Sequence, residues 1–224
     1  MTPSPFSTII LGGTGQVGSA AVDELLAIPE CREVVMVTRK AIQPRARVRN
    51  VVLDTSAADF AERIKAITLE TLAQHGHVSA VSCVGVGSGS ARWSEDDLKR
   101  LEVGVVGAFA RGCHQGDVAQ FCLLSAVGST AQSSFKYVRV MGMKEDTVRA
   151  VGFTRLAIFR PGIIVGNVHT PGWVAALGSL VPGKFGNIDQ QTIGRAMAKE
   201  ISLRGRATGE IIRENAAMKA LAAE

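Results

Sequence analysis

Apolar residues fall into two kinds of run along this chain. Some runs are short and apolar almost throughout; others are longer, with apolar residues at every third or fourth place. The first kind reads as buried strand and the second as one-sided helix. Residues 6–10 are a strand run, and Val17, Ala20, Ala21, Leu25 and Leu26 then mark one face of a helix. Strand runs follow at 33–37 and 51–53, the latter ending at Asp54, with a helical stretch over about 58–74. Residues 78–84 read as a buried strand. Ser94, followed by Glu95, Asp96 and Asp97, is the expected N-cap of a helix reaching about residue 113, its acidic first turn suited to the positive end of the helix dipole. A strand at 120–124, a helix over 133–151 and a strand at 154–159 continue the alternation. Continuously apolar strands separated by helices predict a parallel sheet covered on both faces, an α/β doubly wound Rossmann fold.

After Arg160-Pro161-Gly162 the pattern loosens, punctuated by Pro171, Gly172, Trp173, Pro182 and Gly183. A helix over about 190–204, a short strand at 210–213 and a terminal helix at 216–222 follow. The expected organisation is one domain over 1–224, with residues 163–190 forming part of an irregular cap on the substrate side of the sheet. Such a cap lies over the carboxyl ends of the strands, where ligands bind in these folds.

The junction between the first strand and helix reads LGGTGQVG from Leu11 to Gly18. Two glycine frames overlap in it, Gly13-x-Gly15-x-x-Gly18 and Gly12-x-x-Gly15-x-x-Gly18. Glycines between a strand and a helix allow a tight turn, a close backbone approach to a pyrophosphate and close packing of helix on sheet. The helix N-terminus adds unpaired N–H groups and a positive dipole end. A dinucleotide is the expected ligand. In NAD-specific folds an acidic residue ending the second strand accepts from the ribose 2′-hydroxyl. Here that place reads Val37-Thr38-Arg39-Lys40, with no carboxylate. A hydroxyl and two cations suit a 2′-phosphate, and an arginine can fork onto it. NADP(H) is therefore expected over NAD(H). Asp54, ending the third strand, is either a partner for the adenine amino group or a turn residue.

Composition narrows the field. The net charge is +5, but the cations are scattered, and aromatic residues make up only 5% of the chain, which argues against nucleic-acid binding. No apolar run approaches the length of a membrane span. The start, MTPSPFSTII, has no basic n-region or cleavage site, so no signal peptide is read and a cytoplasmic setting is expected. Cys31, Cys83, Cys113 and Cys122 have no CxxC spacing and pair with no histidine pattern. No metal and a reducing compartment are expected.

Strung along nearly the whole chain, LGGTGQVG, VMVTRK, SCVGVGSG at 82–89, LLSAVGST at 123–130, SSFKYVRVMGMKED at 133–146 and FRPGIIVG at 159–166 resemble the atypical short-chain dehydrogenase/reductases. Within them the likeness is to the Tat-interacting-protein-like oxidoreductases of the NmrA-like group. The resemblance implies that Thr14, Gly15, Gln16 and Val17 line the pyrophosphate and that Arg39 meets the 2′-phosphate. It places Val84 and Gly85 at the adenosine ribose and Pro161-Gly162-Ile163 beside the nicotinamide. It also implies a catalytic serine, tyrosine and lysine. Tyr137 matches the tyrosine, and Ser125 is the candidate serine, with Ser129 close by. The lysine position of Tyr-x-x-x-Lys holds Met141. That lysine would bind the nicotinamide ribose and favour the tyrosinate. Bringing a phenol from near 10 to near 7 takes about 4 kcal/mol of electrostatic help, and a thioether supplies none of it. Lys144 is either a substitute or a solvated helix residue, and Arg139 is another charge near Tyr137.

The function expected is an NADPH-dependent oxidoreductase reducing a carbonyl of an unidentified small molecule, with Tyr137 donating the proton and Ser125 holding the oxygen; the alternative, which Met141 favours, is a dinucleotide-binding regulator or assembly protein with little or no turnover. Val86, Ser88, Trp173 and Val174 are candidate pocket residues. The sequence leaves the oligomeric state open; helices like those at 94–113 and 133–151 pair subunits of a homodimer in many proteins of the resembled group, which is an analogy alone.

Overall fold

The apolar runs become the strands of one parallel sheet. The computed structural model describes residues 4–86, 92–165, 183–203 and 208–224. In chain order the elements are β1 (Phe6–Leu11), α1 (Gln16–Ala27), β2 (Cys31–Thr38), β3 (Val48–Val52), α2 (Phe60–His75) and β4 (Val78–Ser82). A composite helix, α3, comes next, with α-helical ends (Glu95–Leu98 and Val106–Gln115) and a π-helical middle (Lys99–Val105). Then come β5 (Gln120–Leu124), α4 (Lys136–Arg149), β6 (Arg155–Arg160), β7 (Ile163–Val165), β8 (Asn187–Asp189), α5 (Gln190–Ser202), β9 (Gly209–Glu214) and α6 (Asn215–Ala223). The main sheet has the order β3-β2-β1-β4-β5-β6-β9, and every pairing in it is parallel.

Strand side chains alternate between two apolar layers, as the period of two requires. Phe6 and Ile10 of β1 join Val22 and Leu25 of α1, Ile193 and Met197 of α5, and Met218 of α6. Ile9 and Leu11 face the other way, onto Phe60 and Ile64 of α2, Phe109 and Cys113 of α3, and Val148 of α4. Helices therefore cover both faces, as the sequence predicts. Close packing depends on small residues. A Cβ at Gly112 of α3 would lie 2.7 Å from Ile64 Cβ, and one at Gly194 of α5 would lie 2.7 Å from the Ala21 nitrogen.

Three elements differ from the expectation. β3 starts at Val48 rather than 51, because Arg49 and Asn50 look like loop residues but serve an edge strand. Asn50 Nδ2 donates to Met36 O at 3.1 Å and to Thr38 Oγ1 at 2.7 Å, stitching β3 to β2. Ser94 does cap α3, accepting from Asp97 N at 3.0 Å, but the helix widens to π geometry four residues later. The expected cap at 163–190 is not wholly irregular: its two described ends pair as a small parallel sheet, Ile163 opposite Asn187. Buried Asn215 ties that sheet down. Its Oδ1 accepts from Gly162 N at 3.0 Å and its Nδ2 donates to Gly186 O at 2.8 Å. Trp173, Val174 and Ser88 lie outside the described residues.

Candidate functional site

The sheet order reverses beside β1. After β1 the chain adds β2 and β3 on one side, then crosses to β4 on the other. Loops leaving β1 and β4 therefore diverge and leave a crevice, the usual ligand position in such sheets. Glycines shape it. Gly12 has φ +84, and a Cβ there would sit 2.7 Å from Cys83 C and 2.8 Å from Val84 N. Only glycine lets the loop after β1 lie directly on the loop after β4. A Cβ at Gly18 would fall on Gly12 O, so that glycine lets α1 close over the turn. Gly15 N donates to Gly12 O at 3.0 Å, and Gly15 is the N-cap of α1 with no side chain to satisfy the helix end. The first-turn N–H groups thus face outward without a capping oxygen, in a turn that carries no acidic residue.

A cavity of about 200 Å³ opens there. Among its lining residues are Gly12, Thr14, Gly15, Arg39, Val84 and Gly85, six positions singled out from the sequence. Leu11, Val37, Thr38, Thr55, Cys83, Leu101 and Val105 complete the wall. Gln16, Val17 and Gly18 are not part of that wall; Val17 packs its side chain into the core and leaves only its backbone at the helix start.

Arg39 differs from the three arginines that follow it. Arg45 pairs with Asp23 at 2.6 Å, Arg47 donates to Cys31 O at 2.9 Å, and Arg49 meets Glu33 at 3.3 Å and Glu70 at 3.1 Å. The Arg39 side chain is exposed at the cavity wall, and no residue described holds its guanidinium. The Thr38 hydroxyl, expected to help it, is committed: it donates to Lys40 O at 2.7 Å and accepts from Asn50 at 2.7 Å. Asp54 takes the turn role. Its carboxylate accepts from Ser56 N at 2.9 Å and Ser56 Oγ at 2.6 Å, which hold its pKa below the usual range, and Thr55 rather than Asp54 faces the cavity.

The expected catalytic residues lie around the ends of β5, β6 and α4. Ser125 follows β5 and is buried. Its hydroxyl donates to Glu145 Oε1 at 2.5 Å and lies 3.2 Å from Ser129 Oγ, which itself donates to Ala126 O at 2.6 Å. Glu145 is fully buried, and Arg160 clamps it at 2.9 and 2.5 Å while Arg149 reaches it at 3.2 Å. Both Glu145 oxygens accept from arginine, and the Ser125 hydroxyl, with one hydrogen to donate, directs it to the same carboxyl. Tyr137 sits half-buried in the first turn of α4, and desolvation there, then the Glu102 charge, push its pKa up. Met141 is buried. Arg139 is no help to the tyrosine, being tied to Glu95 at 2.7 Å and to Ser133 O at 2.8 Å.

Lys144 is not the solvated residue that was one expectation. It is fully buried, with Nζ 2.8 Å from Glu102 Oε2. Glu102 was missed from the sequence, although a lone carboxylate among the apolar residues of 101–109 was its signal. Pro161 is buried, its carbonyl accepting from Val127 N at 2.9 Å, and Ile163 begins β7; neither lines the cavity. Cys83 does line it, but burial pushes its thiol up to about 12, which leaves it inert.

Solved structures share this architecture. MoeE5, determined with UDP-glucose and NAD, aligns with 93% of this chain and 76% of its own at a TM-score of 0.68 and 16% identity. A short-chain dehydrogenase/reductase from Serratia marcescens aligns over 95% and 98% at a TM-score of 0.62 and 14% identity. The fold is that of the short-chain dehydrogenase/reductases. No family model matches the chain. By sequence, the mitochondrial protein fmp52 of Aspergillus niger is 31% identical over 157 residues, 70% of this chain and 66% of that protein. The Emericella nidulans protein of the same name is 26% identical over 223 residues, 96% of this chain and 88% of its own. The chain is a sequence relative of the Fmp52 proteins. The Aspergillus niger match spans just under two thirds of that Fmp52 protein. Both Fmp52 proteins are named mitochondrial, and this overturns the expected cytoplasmic setting. That expectation rested on reading no signal peptide in MTPSPFSTII, a basis too weak to carry it. The broad resemblance to short-chain dehydrogenase/reductases stands in the fold. The relatives' names point to Fmp52 rather than to a Tat-interacting-protein-like label.

Proposed function

We propose that this chain binds a nicotinamide dinucleotide and takes NADP(H) in preference to NAD(H). The observation that carries the reading is Arg39, an exposed cation with no side-chain partner among the described residues, at the wall of a cleft floored by glycines and a helix N-terminus without a side-chain cap. In this reading the pyrophosphate rests on the N–H groups of Gly15, Gln16 and Val17, with Thr14 beside it. Arg39 forks onto the 2′-phosphate, Val84 and Gly85 flank the adenosine ribose, and Pro161 and Ile163 border the nicotinamide. MoeE5, which shares the fold, was solved with NAD, and this supports a dinucleotide here.

A bound dinucleotide supplies hydride chemistry, and the chain's own residues decide whether a proton follows. They are poorly set for it. Tyr137 is raised rather than lowered, Met141 brings no charge, and Lys144 is neutralised by Glu102. The Ser125 hydroxyl spends its one hydrogen bond as a donor on Glu145. We therefore favour a dinucleotide-binding regulator or assembly protein over an efficient carbonyl reductase. A screen of carbonyl compounds with NADPH tests this. The expected result is a slow or absent rate, unchanged in Tyr137→Phe. Robust turnover that Tyr137→Phe abolishes would establish the reductase reading instead.

A further inference from the structure

Glu102 and Lys144 lie together out of solvent, their charged ends 2.8 Å apart, on two separate elements. Glu102 belongs to the π segment of α3 and Lys144 to the middle of α4. Each makes a second contact, and both contacts go to one loop. Lys144 Nζ donates to Val84 O at 3.5 Å, and Val86 N donates to Glu102 Oε1 at 3.2 Å. Gly85 lies between them, placed so that a Cβ there would be 3.9 Å from Glu102 Oε1. This loop follows β4, lies against the glycine loop at Gly12 and lines the cleft together with it. Leu101 and Val105, from the same π segment, line that cleft as well. A buried ion pair seldom contributes net stability, because desolvating two charges offsets their attraction. Stability alone is thus a poor reason for this one, and π segments recur at functional sites.

We infer that Glu102 and Lys144 are positioning residues for the dinucleotide. The pair grips the backbone of residues 84–86 from below and holds it against the glycine loop, so the wall that receives the adenosine half is set before the ligand arrives. A wall already ordered loses less freedom on binding, which strengthens affinity without a direct contact. The inference rests on the dinucleotide reading given above.

The single change Lys144→Met would strand a buried carboxylate and destabilise the fold whatever the pair does. The apolar pair Glu102→Leu/Lys144→Met removes both charges and both loop contacts at similar volume. We expect it to melt at or above the wild-type temperature, yet to bind NADPH and NADH about tenfold more weakly, with their ratio unchanged. Wild-type affinity in that variant overturns the inference. Amide exchange on the wild-type chain gives a second reading that needs no variant. Val86 N–H should be protected before any dinucleotide is added, and fast exchange there also overturns the inference. Should the wild type bind neither dinucleotide, the functional proposal falls, while Val86 exchange still decides whether the pair holds the loop.

Discussion

Tyr137 is the only tyrosine in the chain, so its ionisation can be followed by absorbance without interference. Burial, the larger cause, and the Glu102 charge both raise it above its ordinary value of 10.0. The tyrosinate signal should therefore appear only well above pH 10. Glu102→Gln should lower the midpoint but leave it above 10, since burial remains. A wild-type midpoint near 10 would contradict the account of this side chain. Residues such as this mark the limit of reading single positions from sequence. Met141 in the lysine place was visible directly. The partners that decide the electrostatics were not, because Glu102 is 35 positions away from Tyr137 in the numbering and Glu145 reaches Ser125 from a helix twenty residues on. Arg39 was legible as a cation at the end of a strand. That it has no partner among the described residues, while Arg45, Arg47 and Arg49 are paired, became visible only in the structure.

At the scale of elements, alternation of apolar runs located strands and helices to within a few residues. It failed where polar residues enter a strand, as Arg49 and Asn50 do at the sheet edge. It also missed the π segment of α3, since widening a helix by one residue per turn leaves no sign in apolar spacing. The ends of α3 and α4 are joined by Glu95, which meets Arg139 at 2.7 Å and Lys99 at 2.8 Å. Hydrogen bonding from Arg139, then Lys99, lowers the Glu95 pKa from 4.5 to about 2. A depressed carboxylate stabilises the folded chain above its unfolded pKa and loses that contribution as pH falls through the folded one. The Glu95 contribution should therefore fade between pH 4.5 and about 2. Unfolding free energies across that range, followed by circular dichroism, should fall less steeply in Glu95→Gln than in the wild type. Equal slopes would show that the link carries no weight.

For the whole molecule, the doubly wound sheet followed from the sequence because the strands between its two edges, β2, β1, β4, β5 and β6, are apolar enough to be covered on both faces. The small sheet of β7 and β8 did not, because three-residue strands carry no periodic signal. Seven parallel strands place the loops after β1, β2 and β4 along one edge, and the reversal of order between β1 and β4 opens the cleft where Arg39 and the glycine turn meet. The central claim is that this cleft recognises NADP(H) through Arg39. Calorimetric titration of the wild type and Arg39→Ala with NADPH and NADH tests it most directly. The wild type should prefer NADPH, and the variant should lose about 1.5–3 kcal/mol for NADPH, the range for hydrogen bonds to charged groups, while NADH changes little. Equal losses for both dinucleotides, or no binding of either by the wild type, would contradict it.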